Sequence, residues 1–363
     1  MLKFFRRRPT CSRVKLGIVG CGVMGRRHAR IFRKIAGCAL VGMADAEIKK
    51  ATSLSERYGN PKAFSSLEEL LDSCDVDAIS VVTPDAAHVS VALAAIERGK
   101  HVFCEKPLAV NSDDAYKLSR AAAEAGIINM VNFTYRSAPA IQHAQAIIRD
   151  GEIGQVVHVE ASYLQSWLSD EEPAWRTDWT KLWRLSSRHG SKGVLGDIGV
   201  HALDFASFPV GDITAVSCRL QSFDELKGAP IGEYLLDAHD SAVINVEFSN
   251  GALGVIHSTR WASGHSNSLR LRVFGTLGSI VVDLDASNRH LLQFRGRNSN
   301  ANRWRKIACP HTPNNFDRFI QSIRTGVNDQ PDFARGAIIQ NILGCCEESS
   351  RTGTRLLVNH NVS

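Results

Sequence analysis

The sequence predicts an α/β chain in which an N-terminal, doubly wound parallel sheet is followed by an α+β domain built on a mainly antiparallel sheet. Three observations carry this. From Val14 to Asn132, short apolar runs alternate with stretches of helical periodicity. The first of these runs ends in a glycine turn, Gly20-Cys21-Gly22-Val23-Met24-Gly25, that leads straight into a helix. Beyond Asn132, β-rich runs are separated by hairpin signals instead of helices. With 363 residues, 44% apolar and 22% charged, the chain can bury two cores, which excludes a disordered chain or a small disulfide-stapled scaffold.

The elements follow in order. Val14 to Gly20 reads as a strand and Val23 to Ala36 as the helix after it; Cys38 to Ala44 is a second strand, and the helix from Glu47 to Tyr58 stops at Gly59-Asn60-Pro61. Ser66-Leu67-Glu68-Glu69 is a capping-box signature for a short helix. After the buried strand Ala78 to Val82, Thr83 is suited to cap the next helix, Pro84 to its first position and Gly99 to its end. His101 to Cys104 is a strand, Asn111 to Ala125 a helix and Ile127 to Asn132 the last strand of this domain. A helix from Ala138 to Arg149 opens the second domain. Its β runs are Val156 to Ser162, Ile213 to Leu220, Ser241 to Phe248, Ala252 to Ser258, Ser268 to Phe274 and Ser279 to Asp283, with turns at Asn250-Gly251 and Gly275 to Gly278. Helices near Asn314 to Arg324 and Phe333 to Ser349 close the chain. The expected domains are a disordered basic tail over 1–13, a dinucleotide-binding domain over 14–133, and an α+β substrate-binding and oligomerisation domain over 134–363.

Lys and Arg number 43 against 37 Asp and Glu, a formal charge of +6. Lys3, Arg6, Arg7, Arg8, Arg13 and Lys15 precede the first acid, so the excess belongs to the N-terminus and the body is balanced. That argues against a nucleic-acid partner. Nine scattered cysteines, without a Cys-x-x-Cys pair, fit reduced thiols in a reducing compartment. No apolar run approaches the roughly 20 residues of a membrane-spanning helix. The basic N-terminus lacks the apolar stretch of an export signal, and the expected location is cytoplasmic.

The glycine turn fits Gly-x-Gly-x-x-Gly between a first strand and first helix. Its glycines permit a tight turn and close approach of a pyrophosphate, and the helix N-terminus offers N–H groups to the phosphates. Asp45 ends the second strand, about 20 residues beyond Gly25, where a carboxylate accepts hydrogen bonds from the adenosine ribose. The same carboxylate would repel a 2′-phosphate, so NAD is expected over NADP, although Arg26, Arg27 and Arg30 lie near the phosphate end. Cys104-Glu105-Lys106-Pro107 follows the fifth strand, at the carboxyl edge where doubly wound sheets bind ligands. Asp197 and His201, in Gly196-Asp197-Ile198-Gly199-Val200-His201, fall at i and i+4 and share a face if this stretch is an α-helix. A helix cap with a structural histidine is the plain alternative. A metal site through Asp197, His201 and Asp204 lacks further nitrogen or sulfur ligands at suitable spacing, and no metal is expected.

Taken together, Gly17-Ile18-Val19-Gly20-Cys21-Gly22-Val23-Met24-Gly25, Glu105-Lys106-Pro107, Asn132-Phe133-Thr134-Tyr135-Arg136 and Gly196 to His201 resemble the glucose–fructose oxidoreductase / inositol dehydrogenase / MocA family. Trp183-Arg184, fourteen residues before Asp197, is similar to the pair found in its sugar-oxidising members. The resemblance runs from about Val14 to the C-terminus. It implies an N-terminal Rossmann domain and a C-terminal α+β domain with a large open sheet. It also implies a catalytic pair of Lys106 and His201, with Asp197 as substrate-hydroxyl ligand and proton-network partner, and a cis Lys106-Pro107 peptide lining the nicotinamide site. Cofactor contacts are then expected from Gly20, Gly22, Val23, Met24, Gly25 and Asp45, from Thr83, Pro84 and His88, and from Glu105, Lys106, Asn132, Trp183 and Arg184. Substrate contacts are expected from Lys106, Tyr135, Arg136, Tyr163, Trp175, Asp197 and His201. One departure is Lys192, which interrupts the glycines that usually precede the aspartate and leaves the shape of that loop open.

Oxidising a secondary alcohol removes the hydroxyl proton while hydride leaves the same carbon for the nicotinamide. His201 suits the general base, Lys106 stabilises the developing alkoxide, and Asp197 binds a neighbouring hydroxyl. Between Tyr163 and Arg184, the residues Gln165, Trp167, Trp175, Arg176, Asp178, Trp179, Lys181 and Trp183 mix aromatic faces with polar donors, as a sugar or cyclitol site requires; Trp175 and Trp179 could equally pack a loop or an oligomer interface. The expected function is an NAD-dependent dehydrogenase of a sugar, anhydrosugar, glycoside or inositol. The alternatives are a glycosidase that borrows NAD and a non-catalytic NAD-binding regulator. A homodimer or homotetramer formed through the C-terminal sheet is expected.

Overall fold

The computed structural model describes residues 13–169, 174–223, 228, 230–296 and 304–360. The basic tail expected at the N-terminus therefore lies, through Ser12, outside the described residues. Two compact units are present: Met1–Ala109 with Asp113–Asn132 and Pro313–Ala337, and Val110–Ser112 with Phe133–Thr312 and Ile338–Ser363.

In the first unit, β1 (Val14–Val19), α1 (Val23–Phe32), β2 (Cys38–Ala44), α2 (Ile48–Arg57), β3 (Lys62–Phe64), α3 (Leu67–Ser73), β4 (Ala78–Val81), α4 (His88–Glu97), β5 (His101–Cys104), α5 (Ser112–Glu124) and β6 (Asn129–Val131) alternate. The six strands pair in parallel in the order β3-β2-β1-β4-β5-β6. The order reverses between β1 and β4, and such a reversal opens a ligand crevice at the carboxyl ends of the strands. Because both faces are covered, these strands are mostly apolar, and all four residues of β4 are buried. The capping box forms with one change. Ser66 Oγ accepts from Glu69 N at 3.2 Å, whereas the Glu69 carboxylate accepts from the backbone of Ser65, at 3.0 Å, rather than from Ser66. Thr83 does not cap the following helix as expected, because a 3-10 turn over Asp85–Ala87, entered from Pro84, intervenes.

The second unit contains α6 (Pro139–Arg149), β7 (Val156–Leu164), the short α7 (Trp179–Leu182), α8 (Val200–Val210), β8 (Ile213–Gln221), the two-residue strands β9 (Pro230–Ile231) and β10 (Tyr234–Leu235), β11 (Ser241–Phe248), β12 (Leu253–Thr259), β13 (Ser268–Gly275), β14 (Gly278–Asp283), β15 (His290–Arg295) and β16 (Arg305–Ala308). Downstream lie α9 (Asn315–Thr325), α10 (Phe333–Thr352) and β17 (Leu356–Leu357). The large sheet runs β16-β15-β14-β13-β7-β12-β11-β8-β17, antiparallel throughout except for the parallel pair β7 and β12. α8 packs on β7, β12 and β13 and against α6. It is apolar around nearly its whole circumference, as a helix enclosed on all sides must be. Strand residues alternate buried and exposed, and Val243, Leu253 and Leu292 project from the open face. β9, β10 and β15 to β17 carried no distinct alternation in the sequence and are added by the structure.

The units differ from the sequence reading, which placed 14–133 in the first domain and everything after 133 in the second: residues 110–112 and Phe133 fall in the second unit. Residues 313–337 belong to the first unit. The N-cap Asn314 accepts from Phe316 N and Asp317 N, and α9 then buries Phe316, Phe319 and Ile320 among Val14, Leu16, Phe32, Phe103 and Met130. The edge strand β6 is covered by the same segment: Val131 N donates to Pro331 O at 2.9 Å and Asn129 N to Asn328 Oδ1 at 3.0 Å. Covering an open sheet edge satisfies its backbone and blocks intermolecular pairing.

Candidate active site

β1 delivers the chain into the glycine turn. Gly20 has φ +101, and a Cβ there would lie 2.4 Å from Val82 O; a Cβ on Gly25 would lie 2.0 Å from Gly20 O. These two positions require glycine sterically. A Cβ on Gly22, by contrast, would meet none of the described residues within 4 Å beyond its own neighbours in the chain, so this backbone is open to close approach. Gly22 caps α1 without a side-chain bond, which leaves the helix N–H groups to an outside acceptor. Val23 is exposed beside the turn, and Met24 packs into the core beneath it.

Asp45 stands where expected, at the end of β2, and already has structural work. Its Oδ2 accepts from Cys21 N at 2.7 Å and its Oδ1 from Glu47 N at 2.9 Å. One carboxylate thus ties the glycine turn to the start of α2, and each oxygen retains a lone pair for a ribose hydroxyl. Burial, together with the Asp45 charge, pushes the Cys21 thiol up to about 12 and keeps it neutral.

At the ends of β4 and β5 the expected contacts divide. Pro84 is exposed, and the Thr83 hydroxyl is buried with no partner among the described residues, which suits a hydrogen bond to a bound molecule. Lys106 is partly exposed, and the Lys106-Pro107 peptide is cis, as the resemblance implied. His88, Glu105 and Asn132, expected to touch the cofactor, are instead buried and spent inside the domain. Glu105 Oε1 accepts from His28 Nε2 at 2.8 Å and Asn132 Nδ2 at 2.7 Å, and His28 Nδ1 faces Ser80 Oγ at 2.8 Å. Burial opposes ionisation of Glu105. The His28 hydrogen bond and charge, the Asn132 bond and the nearby Lys106 charge outweigh it and hold the pKa at about 2. The free N–H groups of α1, the open approach at Gly22 and the Thr83 hydroxyl together fit a dinucleotide.

The second unit gathers the other candidates. Asp197 lies in a π-helical turn, Leu195–Gly199, that runs directly into α8 carrying His201. The α-helical i, i+4 relationship expected from spacing is therefore replaced by a wider turn. Two arginines meet at the same oxygen: Arg260 Nη2 is 3.0 Å and Arg184 Nε 3.3 Å from Asp197 Oδ2. Arg260 is fully buried beneath the Trp167 ring and also donates to Arg184 O at 3.2 Å. Arg184 lies over the ring of Trp183 and bonds Thr180 O, so this pair, expected at the cofactor, here supports Asp197.

The His201 imidazole meets the Tyr135 ring in a T-shaped contact, with centroids 5.0 Å apart, and the tilted Tyr163 ring at 6.2 Å. The two phenols and Asn267 form a closed ring of hydrogen bonds. Tyr135 and Tyr163 oxygens are 2.6 Å apart, Tyr163 donates to Asn267 Oδ1 at 2.6 Å, and Asn267 Nδ2 donates to the Tyr135 oxygen at 2.8 Å. These directions require Tyr135 to donate to Tyr163. Gln165 Nε2 donates to Asn267 Oδ1 at 3.0 Å, and Gln165 Oε1 accepts from Trp167 Nε1 at 2.9 Å. Burial, then Tyr135 and the Asp197 charge, push the Tyr163 phenol far above its ordinary range.

Two expected substrate contacts are corrected. Arg136 is buried and paired in two bonds with Asp204, over the Phe208 ring, which also removes Asp204 from any metal set. Trp175 packs in a core with Leu168, Leu182, Leu185 and Leu236, whereas Trp179 is exposed. Lys192 turns its ammonium to Glu347, 3.2 Å away, and its Cβ occupies the space that a side chain at Gly196 would need. Arg260 and Asn267 were missed by sequence reasoning, since they lie more than 60 residues from Asp197 without any local motif.

Comparison with known proteins follows this geometry. Residues 14–133 match the model of the GFO/IDH/MocA oxidoreductase family, NAD-binding Rossmann fold, and residues 141–281 that of the GFO/IDH/MocA C-terminal domain. The levoglucosan dehydrogenase of Pseudarthrobacter phenanthrenivorans is 29% identical over 294 residues, covering 75% of this chain and 74% of its own. The scyllo-inositol 2-dehydrogenase (NAD(+)) of Bacillus subtilis is 28% identical, covering 74% and 73%. Among solved structures, an oxidoreductase domain protein from Kribbella flavida is 31% identical with a TM-score of 0.83, covering 96% of this chain and 100% of that one. Levoglucosan dehydrogenase in complex with NADH and levoglucosan is 26% identical with a TM-score of 0.84 over the same shares.

Proposed function

The chain belongs to the GFO/IDH/MocA family of NAD-binding oxidoreductases acting on CH–OH groups, and on that premise we propose that it dehydrogenates a secondary hydroxyl of a sugar, anhydrosugar, glycoside or cyclitol. The observation that carries this reading is the Asp197 carboxylate, paired with Arg184 and Arg260, in the turn that leads to His201 with its neighbouring tyrosines. A fixed carboxylate is an acceptor for hydroxyl donors, and aromatic edges with amide groups suit the faces of a polyol. The levoglucosan- and inositol-oxidising relatives favour the same substrate class.

NAD supplies the hydride acceptor when bound. His201 takes the proton of the reacting hydroxyl, and the Lys106 ammonium stabilises the developing alkoxide. Asp197 accepts a hydrogen bond from a neighbouring hydroxyl and so selects which carbon reacts. The Tyr135–Tyr163–Asn267 ring holds both phenols in one arrangement beside the imidazole. The deciding assay follows the reduced-nicotinamide absorbance of purified protein with NAD or NADP and a panel of inositols, aldoses, glycosides and anhydrosugars. Growth of that band with one class of polyol and NAD establishes the reaction and names the substrate. Cleavage of a glycoside without net NADH would replace it with the NAD-borrowing glycosidase, and silence alongside measured NAD binding would replace it with a regulator.

A further inference from the structure

His88 opens α4 and is fully buried, so its ring cannot reach a ligand. Its two nitrogens face two backbone carbonyls: Nδ1 lies 2.8 Å from Pro107 O and Nε2 3.0 Å from Thr83 O. The first carbonyl belongs to the turn after β5 and the second to the turn after β4. Carbonyls only accept, so each bond needs an N–H on the ring; a neutral imidazole satisfies one carbonyl at a time and an imidazolium both. The side chain therefore lies between two turns just past the last backbone bond joining β4 and β5, Glu105 N to Val81 O at 3.0 Å, bonded to one carbonyl and packed against the other as a neutral ring and bonded to both as an imidazolium.

The sheet order says which part of the cofactor these turns serve. Asp45 on β2 marks the adenosine side of the switch point and the glycine turn after β1 the pyrophosphate. The remaining half of a dinucleotide then extends over β4 and β5, where the buried Thr83 hydroxyl has no partner among the described residues and Lys106 precedes the Pro107 carbonyl held by His88.

We propose that His88 is a positioning residue which, by bridging the Thr83 and Pro107 carbonyls, sets the nicotinamide half of the NAD site while leaving the adenosine half untouched. This rests on the proposed reading of Lys106 and the carboxyl ends of β4 and β5. The test compares binding of NAD and of ADP-ribose, which lacks only the nicotinamide, to the whole protein by calorimetry. His88→Phe keeps a ring and removes both nitrogens, and is expected to weaken NAD about tenfold and leave ADP-ribose within about twofold. His88→Gln restores a donor and is expected to recover part of that loss. Equal weakening of both ligands, or no weakening of either, overturns the assignment. If the Phe variant does not fold, His88→Gln decides: selective loss of NAD affinity by about threefold supports the proposal, and equal or absent loss overturns it. A wild-type protein that binds NAD no more tightly than ADP-ribose removes the premise for His88, whereas one that binds neither defeats the proposed function itself.

Discussion

Arg260 Nη2 donates to Asp197 Oδ2 across 3.0 Å, joining the residue just beyond β12 to the π-helical turn that leads into α8. Arg260 is wholly buried, and burial lowers its guanidinium pKa from the ordinary value, a shift that the Asp197 carboxylate and the Asp240 charge oppose. Arg260 was not expected to matter. Arg260→Met should raise KM for the polyol more than KM for NAD, because it frees the Asp197 carboxylate to rotate. It also leaves that carboxylate with one fewer counter-charge, at a stability cost of about 3 to 5 kcal/mol. Thermal unfolding and steady-state kinetics check both, and unchanged kinetics would separate Arg260 from the site.

Lys106→Ala and His201→Ala are expected to lower turnover by about 10²- to 10⁴-fold, the usual worth of general acid–base groups. NAD affinity should fall far less than turnover, since neither residue belongs to the glycine turn or to the Asp45 bracket. A variant with wild-type turnover would lose its catalytic assignment.

Asp45→Ala removes the acceptor for Cys21 N and Glu47 N together. NAD should bind at least about tenfold more weakly, and the preference over NADP should narrow, since the carboxylate that repels a 2′-phosphate is gone. Dissociation constants for both cofactors give the answer; an unchanged ratio would show that Asp45 serves the turn alone.

Glu105 makes stability depend on acid. Its folded pKa of about 2 lies below the ordinary value of 4.5, so its contribution is complete above pH 4.5 and is lost as pH falls toward 2. The shift corresponds to about 3 kcal/mol. Glu105→Gln should lose stability at neutral pH and flatten the denaturation midpoint across that acid window. Urea titrations between those pH values measure it, and identical slopes for both proteins would mean that the His28–Glu105–Asn132 network is not what the acid breaks.

The local chemistry of this protein is written in short stretches of sequence. The glycine turn, Asp45, Glu105-Lys106-Pro107 and Gly196 to His201 could be located because each is a short local pattern, though not the partners of Glu105 or the π-helical turn at Asp197, and the alternation of strands and helices because apolar periodicity records which faces are covered. What could not be read was how distant side chains pair. Arg260 lies 63 residues from Asp197, Asn267 closes a ring begun at Tyr135, and α9 returns from residue 315 to cover β1 and β5. Arg136 and Trp175 had the composition of sugar ligands, yet one is neutralised by Asp204 and the other enclosed by leucines. A residue type states which bonds a side chain can make; burial and the packing of remote elements choose among them, and that choice exists only once the chain has folded.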